Sequence, residues 1–324
     1  MRDTLRALLE RVGSYLGRWC AYIPASAARS AAGALLILAR GRLGFVAYHF
    51  SESFVAALFH RESEPVWFKR VFSFGATLTL DARKKTQRQM LYLPCYEAQL
   101  TVYIRETLKP GMTFLDVGAH VGYYTALGAV AVGEKGSVIS VEPEASNFSQ
   151  LKINIEQNGL YNVVLCKLAL SDETGRTILY RNPLNDGGHT LEEPVSYRDS
   201  GRTLKREDVQ ARFAGESLEE EVSIDTGDML LKNRFAGVVP DLIKIDVEHL
   251  ELEVLQGFRK TITAPISPLV ICEVTKNVAQ VVAFMNSHGY DAFYFGSSGL
   301  KEVSKEKAML KGNYLFKCYE ASPQ

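Results

Sequence analysis

The sequence predicts an α/β protein in which a mostly parallel sheet of seven strands carries helices on both faces, with a basic helical extension ahead of it. Three observations carry that prediction. Between Thr113 and Pro143 an apolar run enters the turn Asp116-Val117-Gly118-Ala119-His120-Val121-Gly122, and a second apolar run ends in Glu142-Pro143. Short apolar runs near residues 113–117, 137–142, 163–168, 242–247, 269–274, 291–295 and 314–318 alternate, over much of their length, with helical stretches beginning at Gly122, Ser146, His249 and Asn277. In the fourth run Lys244, Asp246 and Glu248 alternate with Ile243, Ile245 and Val247, so a strand there places the three charged residues on one face.

At the start of the chain, Leu5, Leu8, Leu9, Val12, Leu16, Trp19, Cys20 and Ile23 recur at three- and four-residue steps with arginines on the remaining arc, until Pro24. This is the pattern of an amphipathic helix stopped by a residue that cannot continue it. A second helix is expected from Ser26 toward Arg40, then an aromatic-rich segment from Phe45 to Phe59. The first helix suits a peripheral contact of residues 1–24 with anionic lipid. It also suits packing on its own domain or on a second subunit, and the packed arrangement is favoured. The apolar residues before Ala25-Ser26-Ala27 are interrupted by Arg2, Arg6, Glu10, Arg11 and Arg18, so no secretory leader is expected. No run reaches the ~18 apolar residues of a spanning helix.

From Val66 to Leu80 the alternation reads as a β-ribbon, and Lys84, Lys85 and Arg88 read as an exposed link. Residues 1–88 are therefore expected to form the extension and residues 89–324 the main domain. Net charge is zero overall but unevenly placed: residues 1–85 hold 13 Lys and Arg against 6 Asp and Glu, leaving 24 against 31 in residues 86–324. A basic arm on a mildly acidic domain follows, and nothing in the acidic part suggests a nucleic-acid groove. Cys20, Cys95, Cys166, Cys272 and Cys318 stand singly. Neither zinc nor a disulfide framework is expected, and a reducing, cytoplasmic setting fits.

The main domain opens with a helix from Glu97 to Leu108 and reaches the glycine turn, where a Cβ at Gly118 or Gly122 is expected to hold the backbone away from a ligand. Glu142 follows Gly118 by 24 residues, near the interval at which a second-strand carboxylate reaches ribose hydroxyls. The turn reads Gly-x-x-x-Gly and lacks the middle glycine of a dinucleotide fingerprint. Gly296-Ser297-Ser298-Gly299 joins the last two strands without a helix, as a closing hairpin would. Residues 181–221 are long, polar and weakly periodic, with Arg198, Arg202, Lys205 and Arg206 set against Glu216 and Glu219-Glu220-Glu221. They read as an insertion over the active-site edge.

The ordered set Tyr96-Glu97 with Leu100, Leu108-Lys109-Pro110-Gly111, the glycine turn, Glu142-Pro143, Asn158-Gly159-Leu160, Ala169-Leu170-Ser171-Asp172, Gly187-Gly188-His189 and Ile243-Lys244-Ile245-Asp246-Val247-Glu248 resembles the FkbM-type methyltransferases. The resemblance covers roughly residues 90–275. It implies a Rossmann-like methyltransferase sheet, S-adenosylmethionine (SAM) as cofactor, and O-methyl transfer to hydroxyls of sugars, polysaccharides or polyketide-like products. It places Asp116, Gly118, His120, Gly122 and Glu142 at the cofactor, with Leu168 main chain, Ala169 and Leu170 beside the adenine. The chain departs from the family at His120, where Asn is usual, and at His249, where Gly is usual.

Methyl transfer requires an acceptor oxygen aligned with the methyl carbon and relieved of its proton. Asp246 and Glu248, toward the carboxyl end of the fourth strand, are the expected pair, one orienting a diol while the other acts as base. A Lys244–Asp246 ion pair that only fixes the strand is the structural alternative. His189, on a glycine loop, is a further candidate base. His249 stands either at the mouth of the site or as a cap on the next helix, and Glu273 either binds substrate or pairs with Lys244. Lys244, His249 and Glu273 are thus the candidate substrate residues. Asp246, Glu248 and Glu273 lack clear further ligands for a divalent cation, so no metal is expected. A nicotinamide-dependent oxidoreductase and a silent SAM-binding scaffold remain as alternatives. The expected partners are a saccharide or glycoconjugate acceptor, no nucleic acid, and, through the N-terminal helices, a membrane surface or a second copy.

Overall fold

Runs such as Phe-Leu-Asp-Val and Leu-Ile-Lys-Ile can sit at the centre of a sheet only if both of its faces are covered, since almost every side chain in them is apolar. The computed structural model describes residues 54–56, 58–59, 64–93, 95–199, 202–215, 217–296, 299–303 and 310–318. The expected amphipathic helix at residues 5–23, the second helix and most of the aromatic-rich segment lie outside the described residues. No helix among the described residues is long and apolar enough to cross a membrane.

In chain order the elements are β1 (Trp67–Val71), β2 (Thr77–Asp81), α1 (Lys85–Tyr92), α2 (Ala98–Thr107), β3 (Thr113–Val117), α3 (Tyr123–Val132), β4 (Ser137–Val141), α4 (Ala145–Glu156) and β5 (Val163–Cys166). There follow β6 (Ala169–Ser171), β7 (Gly175–Tyr180), β8 (Ser196–Asp199), β9 (Arg202–Lys205), α5 (Arg206–Arg212), β10 (Glu219–Thr226) and α6 (Gly227–Arg234). The chain ends with β11 (Leu242–Ile245), α7 (Glu251–Gly257), α8 (Arg259–Ile262), β12 (Leu269–Val274), α9 (Val278–Ser287), β13 (Tyr290–Gly296), β14 (Gly299–Glu302) and β15 (Gly312–Cys318).

Eight of these strands form one sheet in the order β14-β13-β15-β12-β11-β3-β4-β5. Strands β12 through β5 run parallel, and β15 lies antiparallel between β12 and β13. Leu115, Ile139, Ile243 and Val270 share one core with Val254 and Leu255 of α7 and Val281 and Met285 of α9. Phe114, on the opposite face of β3, lies against α3. Helices therefore cover both faces. From β3 the chain steps outward to β4 and β5, then returns to build β11 and β12 on the other side. The loops after β3 and β11 thus leave neighbouring strand ends in opposite directions, which opens a crevice at their carboxyl ends.

Three expectations change. The sheet has eight strands rather than seven, because Gly299–Glu302 adds an edge strand paired with β13; the last two expected strands, β13 and β15, do pair antiparallel, with β14 between them in the chain. Its four residues, Gly-Leu-Lys-Glu, carry no apolar alternation to announce it. Residues 181–221 are not uniformly loop: they hold the hairpin β8–β9, α5 and the start of β10. Strand β10 forms a second sheet with β6 and β7, whose small core is Ala169, Leu179, Val222 and Ile224. Lys85 and Arg88 belong to α1 rather than to an exposed link, and Arg88 is buried, its guanidinium donating to the carbonyls of Ala82 and Arg83.

The chain divides into two compact units. One holds Thr77–Ala98, Leu184–Gly187 and the described residues up to Phe72; the other holds Ser73–Ala76, Gln99–Pro183 and the described residues from Gly188 onward. In the first unit β1 and β2 pair as the expected ribbon. Its buried Asp186 accepts from Thr86 N (2.8 Å) and Gln87 Nε2 (3.1 Å).

Candidate functional site

The end of β3 is a tight turn in which Gly118, His120 and Gly122 take φ of +78°, +52° and +92°. Glycine is demanded at Gly118 by the protein itself, since a Cβ there would lie 1.9 Å from the main-chain oxygen of Asp246. At Gly122 a Cβ would meet the Leu151 side chain at 2.6 Å. Close packing of the turn against β11 and α4, together with positive φ, therefore explains both residues, in place of the ligand approach inferred from sequence. The N–H groups of Gly118 and Ala119 donate to Val141 O, that of Gly122 to Ala119 O, and that of His120 to Glu142 Oε2 at 2.8 Å. A dinucleotide turn presents such donors to a pyrophosphate; here four of them are already committed within the protein.

Glu142 follows β4 and is 5% exposed. One oxygen accepts from His120 N and the other from Glu144 N at 3.0 Å. Each keeps a lone pair, so the fixed carboxylate suits the two hydroxyls of a ribose. Burial pushes Glu142 up to about 7, against the opposing pull of His120 and of the two N–H groups. His120 also draws Asp246 down, which places its imidazole near both acids. Leu168, Ala169 and Leu170 are buried, with Ala169 committed to the core of the small sheet and Leu170 to that of the main sheet.

Across the crevice, Lys244 lies opposite Asp116 in the register of β11 on β3. Its Nζ is 2.9 Å from Asp246 Oδ2, 3.8 Å from Asp116 Oδ1 and 4.8 Å from the centre of the Tyr124 ring. Lys244 is 2% exposed and Asp116 0%. Neither has surface for a ligand, so Lys244 acts here by holding Asp246. Burial raises Asp116 above the usual carboxylate range despite Lys244 and a 2.6 Å hydrogen bond from Thr125 Oγ1. The expected Lys244–Asp246 pair is thus present, and Glu273 takes a third course, its side chain hydrogen-bonded to Asp246.

Asp246 and Glu248 diverge electrostatically. Burial pushes Asp246 up, but the Lys244 ammonium and the hydrogen bonds from Lys244 and Glu273 outweigh it and leave the carboxyl lowered. Among the described residues Glu248 has no such counter-charge, and burial, with the charges of Asp246 and Glu251 added, pushes it up to about 7. His189 is placed differently from a base: its Nδ1 accepts from Asn182 N at 2.9 Å, so a neutral ring carries its proton on Nε2 and has no second acceptor. His249 takes φ +75°, a conformation that favours the glycine usual at this position. Its side chain does not cap α7, whose N-terminal flank is Leu250. Among the described residues no three His, Cys, Asp or Glu side chains are grouped to hold a metal ion.

Sequence reasoning passed over Glu251, which is 1% exposed. Its Oε1 accepts from Thr275 Oγ1 (2.6 Å), Thr275 N (3.2 Å) and His249 N (3.3 Å), tying the loop after β11 to that after β12. The signal was a carboxyl at three- and four-residue steps from the buried Val254 and Leu255.

A crevice at the reversal of a parallel sheet, rimmed by a glycine turn and a fixed second-strand carboxylate, defines an α/β protein built for a nucleoside-bearing cofactor. The sequence model of the methyltransferase FkbM domain matches residues 116–292, more than half of the chain, and the chain belongs to that family of methyltransferases. Its cofactor is SAM, which the residues about Glu142 fit. No curated protein matches the chain in sequence. Among solved structures, an FkbM methyltransferase from Methylobacillus flagellatus is 14% identical, with TM-score 0.39, over 71% of this chain and 54% of that one. This chain thus spans about half of that protein. TYW2 from P. horikoshii, in complex with MeSAdo, is 13% identical over 78% and 71% of the two chains, with TM-score 0.39. A putative O-methyltransferase from Klebsiella pneumoniae is 15% identical over 68% and 79%, with TM-score 0.37.

The raised Glu142 leads to a measurable pH effect. Hydroxyl donors bind the carboxylate form, so SAM affinity is expected to increase with pH up to about 7 and to level off above. Below that value it falls by up to about tenfold per pH unit. The protein without SAM runs the other way through this group: between the ordinary 4.5 and about 7 the folded state holds more protons than the unfolded, so stability falls as pH rises through that window. Thermal shifts at fixed SAM concentration should therefore grow from pH 6 to pH 8. Glu142→Gln should flatten the trend.

Proposed function

We propose that this chain transfers the methyl group of SAM to a hydroxyl of a saccharide or glycoconjugate, with Glu248 as general base. The observation that supports it is the contrast at the end of β11: Asp246 is held low beside Lys244, while Glu248 is pushed up to about 7. Two neighbouring acids driven apart in this way take different roles at neutral pH. Bound SAM supplies an electrophilic methyl carbon. Glu248 takes the hydroxyl proton as the oxygen becomes the nucleophile, a task best served by a pKa near the working pH. Asp246, ionised and fixed by Lys244, accepts from a neighbouring hydroxyl and orients the diol. Glu273, hydrogen-bonded to Asp246, helps Lys244 to fix that carboxyl. Glu142 holds the ribose.

A hydroxyl acceptor suits this arrangement because it must lose a proton as the new bond forms. A saccharide suits it because the Asp246 and Glu248 carboxyls, two residues apart after β11, offer acceptors to the vicinal hydroxyls of a sugar. The test is transfer of labelled methyl from SAM to cell-envelope glycan fractions. Label in an alkali-stable sugar ether is expected. Label confined to protein, nucleic acid or amine products would overturn the proposed acceptor.

A further inference from the structure

We propose that Glu192 is a positioning residue, the centre of a clasp that holds the segment after the glycine loop against the end of β11 and so fixes Glu248; this rests on the reading of Glu248 as base. The segment returns along β7, where Tyr180 and Thr190 exchange main-chain hydrogen bonds of 2.7 and 3.1 Å. From there Thr190 Oγ1 donates to the main-chain oxygen of Glu248 at 3.0 Å and accepts from Glu192 N at 3.2 Å. One buried hydroxyl thus joins the segment to the residue that carries the base. Two positions further on, both Glu192 carboxylate oxygens receive Lys276 Nζ from the loop after β12, at 2.5 and 2.7 Å. His249, next to Glu248, brings Nδ1 to 3.9 Å from Glu192 Oε2.

Three chain segments therefore meet at Glu192, and one of them is strained. A non-glycine residue at φ +75° is costly and persists only where its surroundings over-determine it. At His249 those surroundings are Glu251 and Thr275 behind the main chain and Glu192 in front of the ring. Burial, with Lys276 and Lys311 adding to it, lowers His249 below its ordinary value, with Glu192 pulling the other way. The imidazole is neutral at pH 7, and the charge of the clasp lies in Glu192 and Lys276. Their side chains are 40% and 42% exposed, so the pair alone changes a local opening equilibrium by up to about fivefold. Reversing one charge adds repulsion to that loss.

The test uses the full chain and its charge swap. Glu192→Lys and Lys276→Glu are each expected to raise hydrogen exchange at the Thr190 and Glu192 amides by roughly fivefold or more. Each should also lower kcat for methyl transfer to the glycan fraction, with SAM affinity unchanged by calorimetry. The double variant should restore both readouts. Exchange at the wild-type level in both single variants, or no restoration in the double, would overturn the clasp. Altered exchange with unaltered kcat would show a segment held without serving Glu248 and would overturn the positioning role. A fully active Glu248→Gln enzyme refutes the base assignment by itself and leaves the exchange result to stand alone.

Discussion

Glu248→Gln is expected to lower kcat by roughly 100- to 10,000-fold, the usual range for a general base, while SAM affinity stays within about twofold because the base acts in the transition state. In the wild type, kcat/KM should climb with pH through about 7 and then level off, since the carboxylate form of Glu248 is the active one. Asp246→Asn should also reduce turnover. It should in addition move the acid limb to lower pH, because the Asp246 charge helps keep Glu248 protonated. The two substitutions are thus distinguishable from the profile, measured as initial rates between pH 5 and 9. His189→Ala should remain active, its Nδ1 being occupied by Asn182 N–H. Wild-type turnover in both carboxylate variants together with a dead His189→Ala would assign the base to the glycine loop instead.

Glu142→Ala is expected to weaken SAM and its demethylated product by about 1 to 3 kcal/mol, or roughly 5- to 150-fold in Kd. Part of that loss comes from the ribose hydroxyls. The rest comes from the N–H groups of His120 and Glu144, which lose their acceptor. Glu142→Gln keeps one acceptor oxygen and should show an intermediate loss. Calorimetry with both ligands decides the matter, and equal affinity in wild type and Glu142→Ala would remove Glu142 from the cofactor site.

Much of the main domain was legible because period-two and period-3.6 patterns survive wherever an element is buried on a defined face. Thr113–Val117 and Leu269–Val274 have the expected bounds. The edge strand Gly299–Glu302 and the hairpin of Ser196–Asp199 with Arg202–Lys205 were not legible, since short strands at an edge or outside the core have no apolar face to show. At the site, the types of residue could be read and their arrangement could not. The family resemblance put Asp116 at the cofactor and a spacing of two put Lys244 on the face of Asp246 and Glu248, yet both are enclosed, because neither a motif nor a spacing fixes the depth of a side chain in the sheet. Glu192 and Lys276, 84 residues apart, showed no relation until folding brought them together.

By itself the sequence determined the α/β class, the strand-turn-helix that carries the glycines, the carboxylate after the second strand and the alternating acids of the fourth, all local patterns within a few tens of residues. The tertiary structure decided the charge states and partners. Asp246 and Glu248 are chemically equivalent in sequence; the Lys244 ammonium at 2.9 Å, with Glu273 and His120, holds the first down, while burial and the charges of Asp246 and Glu251 push the second up. The reason is physical: side-chain periodicity is a property of the local backbone, whereas burial and Coulomb interaction depend on distances between segments that the chain sets only by folding.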